Sequence, residues 1–166
     1  MAIKPSQLTH HPWALSHKDG EFNFFPPAKD EWVSHYLNGS RTDEALSSPF
    51  TGVNEKVKTV TAHRYETILK LLRLHKVDAL KLDIEGAEIA VIPDLIESFK
   101  GLYDSRELWP RVIFIDMDSL LPYHPRFSSS EARSAMRVLH GAGYEMMPYI
   151  GPGKVDFTFV LRTAQA

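Results

Sequence analysis

The sequence predicts an α/β fold: a mostly parallel sheet with flanking helices that ends in a C-terminal antiparallel hairpin. Apolar runs of strand length alternate with segments whose apolar residues recur at helical spacing. This alternation is typical of parallel sheets, because parallel neighbours need a crossover connection. The last two strand-like runs are separated by Gly151-Pro152-Gly153, which is too short for a crossover and therefore predicts an antiparallel pair.

The composition of the 166-residue chain predicts a single domain, with an irregular hairpin and loop region at 1–56 and a regular α/β region at 57–166. The net charge of −2 gives no basis for binding nucleic acid or an anionic membrane. The chain contains no cysteine, which excludes disulfides and thiolate metal sites. No apolar run has the length of a signal-peptide core or a membrane span, so we expect a cytoplasmic protein.

The first third of the chain predicts a hairpin followed by a long loop. Residues 8–15 and 21–25 have strand character, and the turn between them contains Asp19-Gly20, a pair that favours positive φ. We therefore expect these two strands to pair with each other. Residues 28–56 mix glycine, proline, serine and charge, and predict a loop of a length that is usually functional or mobile.

The remainder predicts alternating strands and helices. The expected strands are 57–62, 77–84, 111–117, 144–150 and 155–161, and the expected helices are 63–75, 86–91, 93–99 and 128–141. Pro93 is expected to begin a new helix, because proline is favoured at the first helical position. Ser128 with Glu131 has the pattern of a capping box, which predicts the start of the last helix.

The strand 77–84 carries the charges that most suggest a functional site. Lys81, Asp83 and Glu85 occupy alternate positions and so share one face of a strand. Carboxylates at the carboxyl end of a parallel strand lie where open α/β sheets bind ligands. Asp83 and Glu85 are therefore candidate catalytic bases. The structural alternative is an ion pair in which Lys81 neutralises Asp83.

Three further carboxylates extend this candidate site. Glu88 falls in the first turn of the following helix, where it is either catalytic or stabilises the helix N-terminus. Asp116 and Asp118 end the next strand and would converge on the same crevice. Such a cluster also suits a divalent cation, so a carboxylate-rich metal-dependent hydrolase is an alternative function. No histidine stands at a clear metal-ligand spacing nearby, and we assign no metal ligand.

The segment Lys81-Leu82-Asp83-Ile84-Glu85-Gly86-Ala87-Glu88 resembles the hallmark of the FkbM-type S-adenosylmethionine-dependent methyltransferases. Other parts resemble the family in the same order, namely 11–16, 18–20, 24–27, 33–35, 57–72, 111–118 and 143–144. The resemblance extends from about Thr9 to Arg162. It implies S-adenosylmethionine as cofactor and O-methylation of a small or sugar-like acceptor as the activity.

The resemblance also implies roles for individual residues. Trp13, Ala14 and Leu15 would contact the adenine of the cofactor, although core packing is the alternative for all three. Asp83 and Glu85 would face the sulfonium of the cofactor and the hydroxyl of the acceptor. Ser34 and His35 lie in a Val-Ser-His element that matches the family, and with Asp118 they would contact the acceptor. The expected partner is thus a small molecule.

The chain departs from the family in having no glycine-rich turn between a strand and a helix before Leu8. Because the resemblance implies the strand order 3-2-1-4-5-7-6, we expect a truncated Rossmann-like fold without the first two core strands. Strand 77–84 would then be a sheet edge, covered by strand 8–15 or by a homodimer, unless the chain is part of a longer product. A non-catalytic remnant or partner subunit is therefore an alternative function.

Overall fold

The computed structural model describes residues 8–25, 36–38, 58–84, 87–117, 129–147 and 156–162. These residues form two four-stranded sheets and three α-helices. The strands are β1 Ala14–Leu15, β2 Gly20–Phe25, β3 Tyr36–Asn38, β4 Lys58–His63, β5 Ala79–Leu82, β6 Val112–Asp116, β7 Tyr144–Met146 and β8 Asp156–Leu161. The helices are α1 Tyr65–Leu72, α2 Glu88–Leu102 and α3 Ser129–Gly141.

The first sheet has the order β1-β4-β2-β3, so the expected hairpin between 8–15 and 21–25 is wrong. β4 lies between these strands, parallel to β1 and antiparallel to β2. The connecting turn bonds to β4 and α1 instead of closing a hairpin: Ser16 N–H donates to the His63 carbonyl, and Asp19 accepts from Arg64 N–H. The expected loop 28–56 also contains β3, which pairs with β2.

The second sheet has the order β5-β6-β8-β7, which corresponds to the 4-5-7-6 part of the order that the resemblance implied. β5 and β6 are parallel, and the C-terminal hairpin of β7 and β8 is confirmed. A mostly parallel sheet is not confirmed, because two described strand pairs are parallel and four are antiparallel. Strand 8–15 does not cover β5, because β1 pairs with β4.

The two helices expected at 86–91 and 93–99 form one continuous helix, α2, with Pro93 inside it. Proline in a helix interior costs about 3 kcal/mol, because it removes a hydrogen bond and crowds the preceding turn. Pro93 itself is exposed, whereas Ile92, Leu95 and Phe99 have no exposed surface. Burying each of these side chains contributes about 1.5–3 kcal/mol, so packing outweighs the cost of the proline.

The core lies between one face of the second sheet and the helices. Leu82, Ile113, Ile115 and Phe159 alternate along their strands and are almost fully buried against this helical layer. Phe114 lies between two of them on the opposite face and is 44% exposed. The strand period of two therefore separates a buried face from an open face, and the open face carries the site described below.

Candidate functional site

A cleft of about 220 Å³ lies at one end of the second sheet, on its open face. Its lining comes from three neighbouring strands: Lys81, Phe114, Ile115, Asp116, Asp156, Phe157 and Thr158. β5 and β6 end at this cleft and β8 begins there. The cleft therefore occupies the carboxyl end of a parallel strand pair, where ligands bind in open α/β sheets.

Strand register explains why these side chains meet. Phe114 lies opposite Lys81 on one side and opposite Thr158 on the other. One pleat further on, Asp116 lies opposite Asp156. Because directly opposed residues share a face, and residues two apart share it too, all five side chains belong to the open face. The result is an exposed aromatic ring next to charged and hydroxyl groups.

The ion pair that the sequence left as an alternative for Asp83 is present. Lys81 Nζ donates to Asp83 Oδ2 at 2.8 Å, and both side chains remain partly exposed. The pKa of Lys81 is raised, first by this hydrogen bond and by the charge of Asp83, and further by Asp116 and Asp156. Lys81 thus carries a persistent positive charge into the cleft, and Asp83 is held beside it without being a lining residue.

Glu88 is completely buried at the start of α2. Its Oε1 accepts a hydrogen bond of 2.7 Å from the backbone N–H of Ile84. The carboxylate therefore holds a backbone group that precedes α2, whereas the structural alternative that the sequence offered was stabilisation of the helix N-terminus itself. Glu88 does not line the cleft.

Asp116 lines the cleft. Its side chain is partly buried, and Oδ1 has no exposed surface. The other predicted site residues of this region and of the substrate loop, namely Ser34, His35, Glu85 and Asp118, lie outside the described residues.

Of the residues predicted to contact adenine, Ala14 and Leu15 form β1 of the first sheet and Trp13 directly precedes it, and none of the three lines the cleft. Trp13 stacks on His11, with 4.4 Å between ring centroids. It also forms an edge-to-face pair with His63, with 5.5 Å between ring centroids. Ala14 pairs with Ala62, and Leu15 packs against the core. The structure therefore shows the packing role for Leu15.

A polar network joins this part of the first sheet to the helices. Asp19 accepts hydrogen bonds from Arg64 N–H and Thr67 Oγ1, and hydrogen-bonds His63 Nδ1 at 3.2 Å. Arg64 Nε then donates to Asp94 of α2 at 2.9 Å. Asp19 thus caps α1 from a distant turn. The sequence identified residues 16–20 as a turn but contained no signal for these contacts.

Among the side chains on the open face of the cleft, sequence reasoning missed Phe114, Asp156 and Thr158. Phe114 could have been found, because it stands two residues before Asp116 and must share its face. Asp156 and Thr158 depend on the pairing of β8 with β6, which is a contact between distant segments. No local pattern specifies that register.

In the described ranges, no group of three or more histidine, aspartate and glutamate side chains could hold a metal ion. Within the same ranges no helix combines the length and apolar character needed to cross a membrane. The observation on metal ligands gives no support, within the described residues, to the metal-dependent hydrolase.

Comparison with known proteins assigns the family. The model of the methyltransferase FkbM domain matches residues 3–146. No curated protein and no solved structure gives a significant match. The family match includes both sheets up to β7 and the lining residues contributed by β5 and β6. Because it spans most of the 166 residues, the chain belongs to the FkbM methyltransferase domain family.

Proposed function

We propose that this chain is an S-adenosylmethionine-dependent O-methyltransferase whose small or sugar-like acceptor binds in the cleft at the end of the second sheet. The observation that carries the proposal is the position of the cleft at the carboxyl ends of β5 and β6 in a chain of this family. A fold alone does not define a reaction, so the residues of the cleft carry the rest of the argument.

The cleft fits the reacting part of the cofactor. Asp116 and Asp156 outnumber Lys81, so the lining has an excess of negative charge that favours a cation such as a sulfonium. When bound, S-adenosylmethionine supplies a methyl group activated by that sulfonium. The volume of about 220 Å³ is below the range of about 300–1,000 Å³ typical of ligand sites. We therefore assign the cleft to the acceptor and the sulfonium end, with Asp116 and Asp156 facing them.

The chain's own groups suit proton removal and positioning. Asp116 is the proposed general base, because it is a partly buried carboxylate in the cleft. It takes the proton of the acceptor hydroxyl while the oxygen of that hydroxyl gains the methyl group. Phe114 offers an exposed ring on which the apolar face of an acceptor can pack. Thr158 and Lys81 line the same cleft and can orient further hydroxyl groups. Asp83 positions Lys81 through their ion pair.

Calorimetry with S-adenosylmethionine, which carries the sulfonium charge, tests this proposal without knowledge of the acceptor. We expect binding by the unmodified chain and a loss of affinity of about tenfold or more in Asp116→Asn and Asp156→Asn, because each removes a charged partner from the cleft. Glu97→Gln is the matched control, since Glu97 is an exposed carboxylate of α2 that pairs with Lys100. The absence of binding at millimolar ligand by the folded chain would contradict the proposal and favour the non-catalytic remnant.

A further inference from the structure

The open face of the second sheet continues beyond the cleft as two rows of side chains across β6, β8 and β7. In the first row Phe114 lies opposite Thr158, and Met147 lies on the other side of Thr158, because its N–H donates to the Thr158 carbonyl at 2.8 Å. In the second row Val112 lies opposite Val160. Phe114 and Met147 are 44% and 46% exposed, and both valines are partly exposed. Val112, Phe114, Met147 and Val160 thus form an apolar strip that begins at the cleft.

Charged side chains border the apolar strip within the described residues. Asp116 and Asp156 lie one row before it, in the cleft. On the β7 side Glu145 lies opposite Val160, and its carboxylate accepts two hydrogen bonds from Arg162, at 2.7 and 2.9 Å. Arg162 itself follows Val160 by two residues and so lies one row further on the same face. The strip is therefore an apolar surface between two charged ends.

The size of the apolar strip limits the kind of partner that it fits. β6 advances about 13 Å between Asp116 and Val112, and the three strands together are about 10 Å wide between their axes. The strip therefore offers on the order of 100–200 Å² of surface. A protein partner normally buries about 800 Å² on each side. A short hydrocarbon chain or a ring system matches the strip better than another protein chain does.

We propose that the apolar strip binds a hydrophobic group attached to the acceptor, so that the substrate class is an amphiphilic alcohol, such as a sugar that carries an alkyl or ring substituent. This inference rests on the proposed function, because it requires the acceptor hydroxyl to lie beside Asp116. Phe114 belongs to both the cleft and the strip, so one molecule can occupy both. Its hydroxyl end lies among the charged groups, and its apolar end covers Val160 and Met147. Because burial of apolar surface is favourable in proportion to its area, the strip selects such acceptors over unsubstituted sugars.

A series of alkyl glucosides tests the apolar strip with a constant head group. The probes are methyl, butyl, hexyl and octyl β-D-glucoside, each below the concentration at which it forms micelles and without cofactor, so that no methyl transfer occurs. A fully buried methylene raises affinity about fourfold, so calorimetry should show a rise of about two- to fourfold for each added methylene. Equal affinity for the methyl and octyl probes, in a chain that binds S-adenosylmethionine, overturns this inference and leaves the proposed function standing. A chain that does not bind S-adenosylmethionine overturns both.

Variants of the apolar strip separate this binding from general adhesion of hydrocarbon. Met147→Ser and Val160→Thr should each reduce the ratio of octyl to methyl affinity about threefold or more, because each removes apolar surface from the strip. Leu108→Ser is the matched control and should keep the ratio, since Leu108 is 41% exposed in the 3₁₀ turn Arg106–Leu108 and is not part of the strip. An equal reduction in the control would show non-specific adhesion and overturn the proposal. So would sedimentation that shows association of the unmodified chain but not of Met147→Ser, because a second copy would then cover the strip.

Discussion

Asp116 of β6 and Asp156 of β8 lie directly opposite each other where the cleft opens. Like charges in this relation destabilise a sheet. Lys81 lines the same cleft, and the charges of both aspartates help to raise its pKa, after the larger effect of Asp83. The arrangement therefore offsets only part of the repulsion, and the remaining negative charge is available to a ligand.

Asp156→Asn should increase stability while weakening ligand binding. Removal of one of two opposed charges should raise the free energy of unfolding by about 0.2–1 kcal/mol at neutral pH. Urea unfolding at low salt measures the change. Asp104→Asn is the control for loss of one negative charge at an exposed position. A loss of stability in Asp156→Asn larger than in the control would contradict the repulsion described above.

Substitution of Glu88 separates a structural role from a catalytic one. Glu88→Gln keeps an oxygen acceptor for Ile84 N–H and should cost little stability. Glu88→Ala removes the acceptor and leaves a cavity at a fully buried site, so we expect a loss of about 2 kcal/mol or more. Thermal unfolding measures both changes. If Glu88→Gln kept its stability but abolished methyl transfer, the structural interpretation would be wrong and Glu88 would be catalytic.

Gly143 is favoured by its backbone conformation. Its φ is +93°, a conformation that side-chain-bearing residues rarely adopt, whereas the guanidinium of Arg106 that a β-carbon would meet is the end of a flexible side chain and can move away. Gly143→Ala should therefore lower the free energy of unfolding by about 1–3 kcal/mol. Gly141 at the end of α3 is the matched control, because a β-carbon there meets nothing within 4 Å. Gly141→Ala should leave stability unchanged or raise it by up to about 1 kcal/mol. Chemical denaturation of both variants measures the contrast.

The cap of α1 by Asp19 predicts a pH dependence. Partial burial acts to raise the pKa of Asp19, but hydrogen bonds from Arg64 N–H, Thr67 and His63 outweigh it and hold the pKa below its ordinary value. The stabilisation by Asp19 is thus complete above the unfolded-state pKa of about 3.9 and is lost as the pH falls through the lower folded-state pKa.

The measurement is thermal unfolding of the unmodified chain and of Asp19→Asn between about pH 2 and pH 6, on either side of the unfolded-state pKa. The unmodified chain should be the more stable one at the upper end, and the difference should shrink towards the lower end. A difference that stays constant across this window would show that the carboxylate is not linked to stability in this way.

The elements of the second sheet were predictable because their signals are local. The alternation in 77–84, the apolar run 111–117 and the short turn before the last strand led to β5, β6 and the terminal hairpin. The errors arose where tertiary contacts outweighed local preference. Pro93 stays inside α2 because buried residues continue on both sides of it, and 8–15 pairs with β4 because the polar groups of the following turn bond to His63 and Arg64.

By itself the sequence determined the family and the slightly acidic, cysteine-free character of the chain. It also predicted that Asp83, Glu85, Asp116 and Asp118 converge on one crevice, since strand periodicity and motif order are properties of short segments. Only the tertiary structure decided that Asp156 joins Asp116 and that Trp13 is not among the residues that line the cleft. Those relationships depend on strand register between distant segments, and register is set by which faces are buried together.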